Sequence, residues 1–251
     1  MSTSLTVTRI GHACQLIEIG ETRILADPWF TQTATYYQGE PVASTVAELG
    51  RIDAVVVSHE HYDHCDLDGL VAGGFDLDVP LIGPGTVAAV ANGKGFRDVR
   101  AIEAWEAARV GDVTVTATPA KHGVHEVTFV IEGGGRTVFF GADSLRIPEQ
   151  DSIPERFGKI DLAIVPTNGL CIRPMNLRQV VMDAEEAANL TAILKPTLAV
   201  PHHYAFHSGR LGDQMITKGD QDPRHYADAV ARIAPEVDVR LVLPGTRVMV
   251  P

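Results

Sequence analysis

Short apolar runs separated by turns dominate the first part of this chain. Leu5–Ile10, Cys14–Ile19 and Thr22–Ala26 consist mainly of apolar and β-branched residues, and Gly11 and Gly20 lie in the breaks between them. Runs of this length between glycine-containing breaks predict β-strands joined by tight turns. We therefore expect the chain to start with an antiparallel meander of three strands.

Strand and helix patterns alternate from residue 52 onward. Ile52–Val57 is a short β-branched run typical of a buried strand, and Asp66 is placed to cap a short helix ending near Val71. Phe30–Leu49 and Ala205–Asp222 show no clear period, so we predict loops there. The other predicted helices are 86–91, 176–194 and 223–233, and the other predicted strands are 80–83, 99–102, 113–118, 126–132, 136–140, 161–165, 198–200, 238–243 and 247–250.

Four metal-ligand side chains follow the strand predicted at 52–57, in the pattern His59-x-His61-x-Asp63-His64. In extended backbone, residues two apart point the same way, so His59 and His61 can bind one ion together. Asp63 and His64 come where the strand gives way to a turn, and they can face a second ion. Imidazoles with a carboxylate suit zinc or a similar divalent transition metal without any thiolate.

Three further ligand-type residues follow other predicted strands. His122, Asp143 and His203 each come just past the carboxyl end of an apolar run. Ligand sites in α/β proteins collect at that edge, where loops carry side chains on a rigid sheet. The sequence therefore predicts that four separate segments converge on one site for two metal ions.

Composition limits the partners of this site. The chain has 45% hydrophobic and 21% charged residues, which is ordinary for a globular protein, and its formal net charge is −11. That charge argues against a nucleic-acid substrate or an anionic membrane surface, because both favour basic patches. At 251 residues the chain can form one domain, although its length also allows two.

The expected compartment is the cytoplasm. Cys14, Cys65 and Cys171 are far apart and odd in number, which is typical of reduced thiols and not of a disulfide framework. No apolar run reaches the length of a membrane span, and the residues 1–4 do not begin a signal-peptide pattern. We expect no membrane partner.

With these residues placed, the chain resembles the metallo-β-lactamase-fold hydrolases over nearly its whole length. The segments Gly11-His12, Leu25–Trp29, Met182–Ala187 and Pro201–Tyr204 resemble a smaller branch of that superfamily, that of the L-ascorbate-6-phosphate lactonase and related metal-dependent hydrolases. The resemblance implies an α/β protein with a four-layer αββα sandwich of two mixed β-sheets. It also implies a single hydrolase domain over residues 1–251, with the metals at one edge.

The resemblance further implies a ligand set for each ion. The first ion would be held by His59, His61 and His122, and the second by Asp63, His64 and His203, with Asp143 bridging both. His202 competes with His203 for the last place, and the branch pattern of proline, any residue, histidine and tyrosine favours His203. Ala142 is a departure, because the family's bridging acid usually follows glycine directly.

The implied activity is hydrolysis by a hydroxide that bridges two divalent ions, most simply Zn²⁺ with Mn²⁺ as an alternative. Asp63 would be the catalytic carboxylate, orienting the hydroxide or taking up its proton. The expected substrate is a small ester, lactone or phosphodiester. Two alternatives stay open: a di-iron redox protein of the same fold, and a metal-binding protein without turnover.

Outside the ligand set, His12 is expected to be structural or to support a ligand. Asp27 is predicted to accept a hydrogen bond from the far nitrogen of a ligand histidine. Two loops, Trp29–Pro41 and Tyr204–Asp222, are predicted to line a substrate pocket. The first offers the aromatic walls Trp29, Phe30, Tyr36 and Tyr37, and the second offers Arg210 or Lys218 to meet an anionic group of the substrate.

Overall fold

The computed structural model describes residues 3–33, 35–219 and 221–251. The first two residues, used in the compartment prediction, and residues 34 and 220, within the two predicted pocket loops, lie outside the described residues. The strands are β1 (Leu5–Gly11), β2 (Cys14–Ile19), β3 (Thr22–Ala26), β4 (Tyr37–Gln38), β5 (Ala54–Val56), β6 (Leu81–Gly83), β7 (Val99–Ala101), β8 (Ala107–Val110), β9 (Val113–Pro119), β10 (Val127–Gly133), β11 (Arg136–Phe140), β12 (Leu162–Pro166), β13 (Cys171–Ile172), β14 (Arg178–Gln179), β15 (Leu198–His202), β16 (Phe206–His207), β17 (Ile216–Thr217), β18 (Asp238–Val239) and β19 (Arg247–Met249). The helices are α1 (Leu67–Ala72), α2 (Gly85–Ala91), α3 (Ile153–Phe157), α4 (Ala184–Leu194), α5 (Gly209–Met215) and α6 (Pro223–Ile233).

Two mixed sheets form the centre of the molecule. Within the described residues, the first sheet has seven strands in the order β19-β1-β2-β3-β5-β6-β7, and the second has seven in the order β18-β15-β12-β11-β10-β9-β8. In each sheet one half is antiparallel and the other half is parallel. The predicted meander of β1, β2 and β3 is confirmed.

Three apolar layers hold the sheets and helices together. The inner faces of the two sheets pack on each other through residues such as Ile17 and Phe129. The outer face of the second sheet is covered by α4 and α6, and that of the first sheet by α1 and α2. This is the predicted four-layer αββα sandwich. No helix in the described part of the chain is long and apolar enough to cross a membrane.

The helix predicted over 176–194 begins later than expected. Residues 178–179 pair with β13 as a strand, and α4 starts at Ala184. Asp183 fixes this start, because its carboxylate accepts a hydrogen bond from the Glu186 backbone N–H at 2.9 Å, while the Glu186 carboxylate accepts from the Asp183 N–H at 3.2 Å. This reciprocal capping box begins the helix at a defined residue, whereas the residues before it resemble a helix in composition only.

Both predicted loops contain secondary structure that the sequence pattern did not indicate. β4 from the first loop pairs with β16 from the second, and the second loop also forms α5 and β17. Buried Arg9 anchors this small sheet: it donates to Glu40 at 2.9 Å and to the Val242 carbonyl at 3.2 Å. Its guanidinium also lies 4.6 Å from the centre of the Tyr204 ring. The residues after β4 and before β16 are therefore fixed to β1.

Candidate metal centre

The ligand-type residues predicted from the sequence meet at one edge of the sandwich. The segment after β5 brings four of them, and the segments after β9, β11 and β15 bring His122, Asp143 and His203. These strands end at the same edge of the two sheets. As a result, donor atoms from these four segments and from His12 form three overlapping groups, and within each group the atoms lie within 4.8 Å of one another. The convergence expected at the strand ends is confirmed.

The first group consists of three imidazoles. His59 Nε2 lies 2.9 Å from His61 Nδ1, and His122 Nε2 lies 3.3 Å from the same His61 atom. His59 is fully buried, and the other two are at the border of the cavity beside it. Three nitrogens that converge from two sheets make a site suited to one divalent ion with an open coordination position.

The second group combines imidazoles with carboxylates. Asp63 Oδ2 lies 3.7 Å from both His64 Nε2 and His203 Nε2. Asp143 Oδ2 lies 3.2 Å from His64 Nε2 and 2.9 Å from His203 Nε2. Asp143 also lies in one cluster of donor atoms with His59 of the first group. The predicted bridging acid thus lies between the two groups.

The departure from the family pattern at Ala142 leaves this arrangement intact. Ala142 adopts a left-handed backbone with φ of 45° and is fully buried, and Asp143 still reaches two imidazoles. His203 also has a left-handed backbone, with φ of 57°, and its ring faces the carboxylates. The ring of His202 lies elsewhere, stacked on Phe140 with centroids 5.5 Å apart. The geometry therefore brings His203 to the cluster and leaves His202 outside it.

His12 supports Asp63. Its Nε2 lies 3.1 Å from Asp63 Oδ2, and the ring is fully buried against Trp29 and Phe206. Burial is the main cause that lowers the pKa of His12 to about 3, so the ring is neutral. The single N–H of a neutral ring donates to the carboxylate at Nε2. His12 therefore holds the orientation of Asp63, in agreement with the supporting role expected from the sequence.

The far nitrogens of two ligand-type histidines, His64 and His122, have fixed partners. His64 Nδ1 lies 2.7 Å from Asp27 Oδ2, and Asp27 itself accepts from the Ser58 N–H at 2.8 Å and hydroxyl at 2.7 Å. His122 Nδ1 donates to the Val180 carbonyl at 2.7 Å. Such partners fix the tautomer and ring orientation of metal-ligating histidines. The hydrogen bond predicted for Asp27 is confirmed.

Asp27→Asn is expected to weaken metal binding by about 10- to 100-fold, because an amide supports the His64 imidazole less well than a carboxylate does. Asp27 has φ of 43°, a left-handed conformation that asparagine also adopts, so the backbone should be kept. Metal titration of the purified variant measures the effect. Asp78→Asn, at an exposed position paired with Arg97, is the matched control. Equal affinities in the two variants would contradict the role of Asp27.

Glu126 was not recognised from the sequence, where it only begins a predicted strand. It is buried, its Oε1 accepts from the Asp143 N–H at 3.1 Å, and its Oε2 lies 3.6 Å from His59 Nδ1. Burial, followed by the charge of Asp143, raises the pKa of Glu126 well above its usual range. The available signal was an acid directly before the apolar run 127–131, four residues after His122.

The charges of the cluster fit bound cations. Burial alone would lower the pKa of His64, but the carboxylates of Asp143, Asp63 and Asp27 raise it well above its ordinary value. Burial alone would raise the pKa of Asp143, but His203 and His64 hold it well below. In addition, His64 Nε2 and His203 Nε2 lie close to Asp143 Oδ2 without forming a hydrogen bond to it, and Asp143 Oδ1 has no hydrogen-bond partner among the described residues. Divalent ions would supply both the positive charge and the missing partners.

Comparisons with known proteins agree with this geometry. Residues 22–204 match the β-lactamase superfamily domain. A UPF0173 protein of Pyrococcus furiosus is 32% identical over 202 residues, covering 79% of this chain and 82% of that protein. A UPF0173 metal-dependent hydrolase of Caldivirga maquilingensis is 26% identical over 240 residues, covering 94% of each. The structure of Igni18, a metallo hydrolase from Ignicoccus hospitalis, superposes with a TM-score of 0.76 at 23% identity over 99% of both chains. With its fold and its cluster of imidazoles and carboxylates, the chain belongs to the UPF0173 family of metal-dependent hydrolases in the metallo-β-lactamase superfamily.

Proposed function

We propose that the protein is a dinuclear hydrolase that cleaves a small ester, lactone or phosphodiester. His59, His61 and His122 would hold one ion, while Asp63, His64 and His203 would hold the other, and Asp143 would contact both. The observation that carries the proposal is the position of Asp143, which lies in one cluster of donor atoms with His59 of the first set and His64 of the second. A carboxylate placed in this way suits two adjacent divalent ions, the arrangement used in many metallohydrolases.

Two bound ions would supply a water of lowered pKa and would polarise the oxygen of the scissile group. The side chains of the protein position the other participants. Asp63, held by His12 Nε2 at 3.1 Å, is placed to accept a proton from the attacking water. Tyr36 lines the same cavity, and burial together with the Asp63 carboxylate raises the pKa of its hydroxyl. That hydroxyl stays protonated and can donate a hydrogen bond to the substrate.

Zn²⁺ is the proposed native metal and Mn²⁺ the alternative, because the donors are imidazoles and carboxylates without any thiolate. Membership of the lactonase-like branch stays a proposal that rests on the sequence motifs resembling that branch. The cytoplasmic location also stays a proposal, which the three unpaired cysteines favour.

We expect the purified protein to bind close to two divalent ions per chain, and His59→Ala or His122→Ala to empty mainly the first site. Elemental analysis and metal titration measure the stoichiometry. His125→Ala is the matched control, because His125 is exposed, pairs with Glu103 and lies only three residues from His122. A protein that contains no metal and takes none up on titration would contradict the proposal.

Activity assays separate hydrolysis from the two alternatives. Metal-reconstituted protein should hydrolyse generic esters, lactones or bis-nitrophenyl phosphate, and it should show no visible iron absorption band. An iron spectrum without hydrolysis would favour the di-iron redox protein. Full metal loading without turnover of any compound would favour a binding protein.

A further inference from the structure

A cavity of about 420 Å³ lies directly beside the ligand cluster. His61, Asp63, His122, Asp143 and His203 form its floor. Its walls are mostly apolar and come from segments far apart in the sequence, chiefly Leu170, Ile172, Val180, Phe206, Met215 and Ile216.

The cations predicted to meet an anionic substrate do not line this cavity. Lys218 Nζ donates to the Phe206 carbonyl at 2.7 Å and to Asp213 Oδ1 at 3.1 Å, and it also lies 4.8 Å from the centre of the Phe206 ring. Arg210 is exposed on α5 and is not part of the wall. Among the described residues, no lysine or arginine lines the cavity. The expectation of an anion-binding loop is therefore not supported.

The aromatic walls also differ from the prediction. Trp29 is fully buried and donates through Nε1 to the Thr31 carbonyl, so it supports the loop from below. Tyr37 stacks on His207 outside the cavity. Of the four predicted aromatic residues, Tyr36 alone is in the wall, and its ring lies 6.1 Å from that of Phe206.

These walls decide which substituent can enter. A charged group against the walls would lose water without gaining an ionic partner from them, which disfavours its binding. An apolar group gains about 0.8 kcal/mol for each buried methylene, or roughly fourfold in affinity.

We propose that the cavity binds an uncharged apolar group, such as the acyl chain of an ester or lactone. This inference rests on the proposed hydrolase function and narrows its substrates. A phosphorylated lactone, which carries its charge beyond the reacting group, fits these walls least. Met215 on α5 is a suitable position for testing this inference, because its side chain lines the cavity. Half of its surface is exposed, so a longer side chain can be accommodated there.

The test uses metal-loaded protein and measures binding of three hydroxamic acids by calorimetry. Acetohydroxamate carries no chain, hexanohydroxamate carries an apolar chain, and adipic acid monohydroxamate has a chain of the same length ending in a carboxylate. Hexanohydroxamate should bind at least about 30-fold more tightly than acetohydroxamate, since it has four more methylenes to bury. The carboxylate analogue should bind no more tightly than acetohydroxamate, in low salt or in high salt.

Met215→Lys supplies the charge test. It should weaken binding of hexanohydroxamate about tenfold and strengthen binding of the carboxylate analogue about fivefold or more, whereas Met215→Leu should keep the wild-type preference. Met249→Lys, an exposed position on β19, is the matched control and should change neither value. Wild-type protein that binds the carboxylate analogue as tightly as hexanohydroxamate would overturn the inference, as would metal-loaded protein that binds neither. Because the readout is binding, a protein that shows the predicted preference but hydrolyses no ester, lactone or phosphodiester would refute the hydrolase function and leave this inference standing.

Discussion

Asp63→Asn is expected to lower kcat/KM for the best ester or lactone by at least about 10³-fold. The carboxylate contacts His12, His64 and His203, so it is both a proposed ligand and the nearest base to the reacting water. Asparagine keeps its size and loses its charge and basicity. Loss of several kcal/mol of transition-state stabilisation corresponds to this factor, at about 1.4 kcal/mol per tenfold change in rate.

The control for this variant is Asp68→Asn, five residues further along the chain. Asp68 is largely exposed on α1 and pairs with Lys94, so its substitution should leave the rate unchanged. Circular dichroism should show the same fold for both variants, and elemental analysis should show whether Asp63→Asn has also lost an ion. An Asp63→Asn protein that retains the wild-type kcat/KM would remove Asp63 from the mechanism.

The positions of the ligand-type residues were predictable because they depend on local signals. Each of them follows an apolar strand, and the carboxyl ends of strands in such sheets come together at one edge. Asp27 was predictable for the same reason, since it follows β3 beside β5 and so lies next to the segment that carries His64. The structure brings the seven predicted ligands together, and their binding of ions stays a prediction for the metal titration.

The cavity walls and Glu126 depend on contacts between distant segments, which no local pattern reveals. Ile172 and Ile216 are neighbours only because β13 pairs with β17. Lys218 is directed away from the cavity by a backbone carbonyl and by Asp213, although its sequence context suggested an anion-binding loop. Charge in the sequence shows that a cation is available, whereas its partners in the fold decide whether it is free to bind a ligand.

The backbone around the centre is held in an uncommon conformation. His12, Asp27, Ala142 and His203 all have φ between 43° and 57°, in the left-handed region that is unfavourable for residues other than glycine. Strained residues of this kind persist where the surrounding structure holds them. Several buried carboxylates and imidazoles lie in the same small volume. Ions that bind the four ligand segments, residues 59–64, His122, Asp143 and His203, should therefore stabilise the fold strongly.

Removal of the ions by a chelator is expected to lower Tm by about 15–30 °C. An ion present at about 1,000 times its Kd stabilises the folded chain by about 4 kcal/mol, so two ions contribute about 8 kcal/mol. For a chain of this size, each kcal/mol shifts Tm by about 2–4 °C. The ligand-type side chains come from both sheets, so loss of the ions should leave buried polar atoms such as His64 Nε2 and Asp143 Oδ1 without partners at the edge where the sheets meet.

The experiment compares thermal unfolding, followed by circular dichroism, before and after dialysis against a chelator, with and without Zn²⁺ added back. In His59→Ala, which should keep mainly the second ion, the chelator should cause about half of the wild-type decrease in Tm. In His125→Ala, whose imidazole is exposed and outside the cluster, it should cause the full decrease. Because both variants lose one histidine, a difference between them reports on the ligand cluster and not on the loss of an imidazole as such. A wild-type Tm that the chelator leaves unchanged, in protein shown to be metal-free, would mean that ions do not join the four segments.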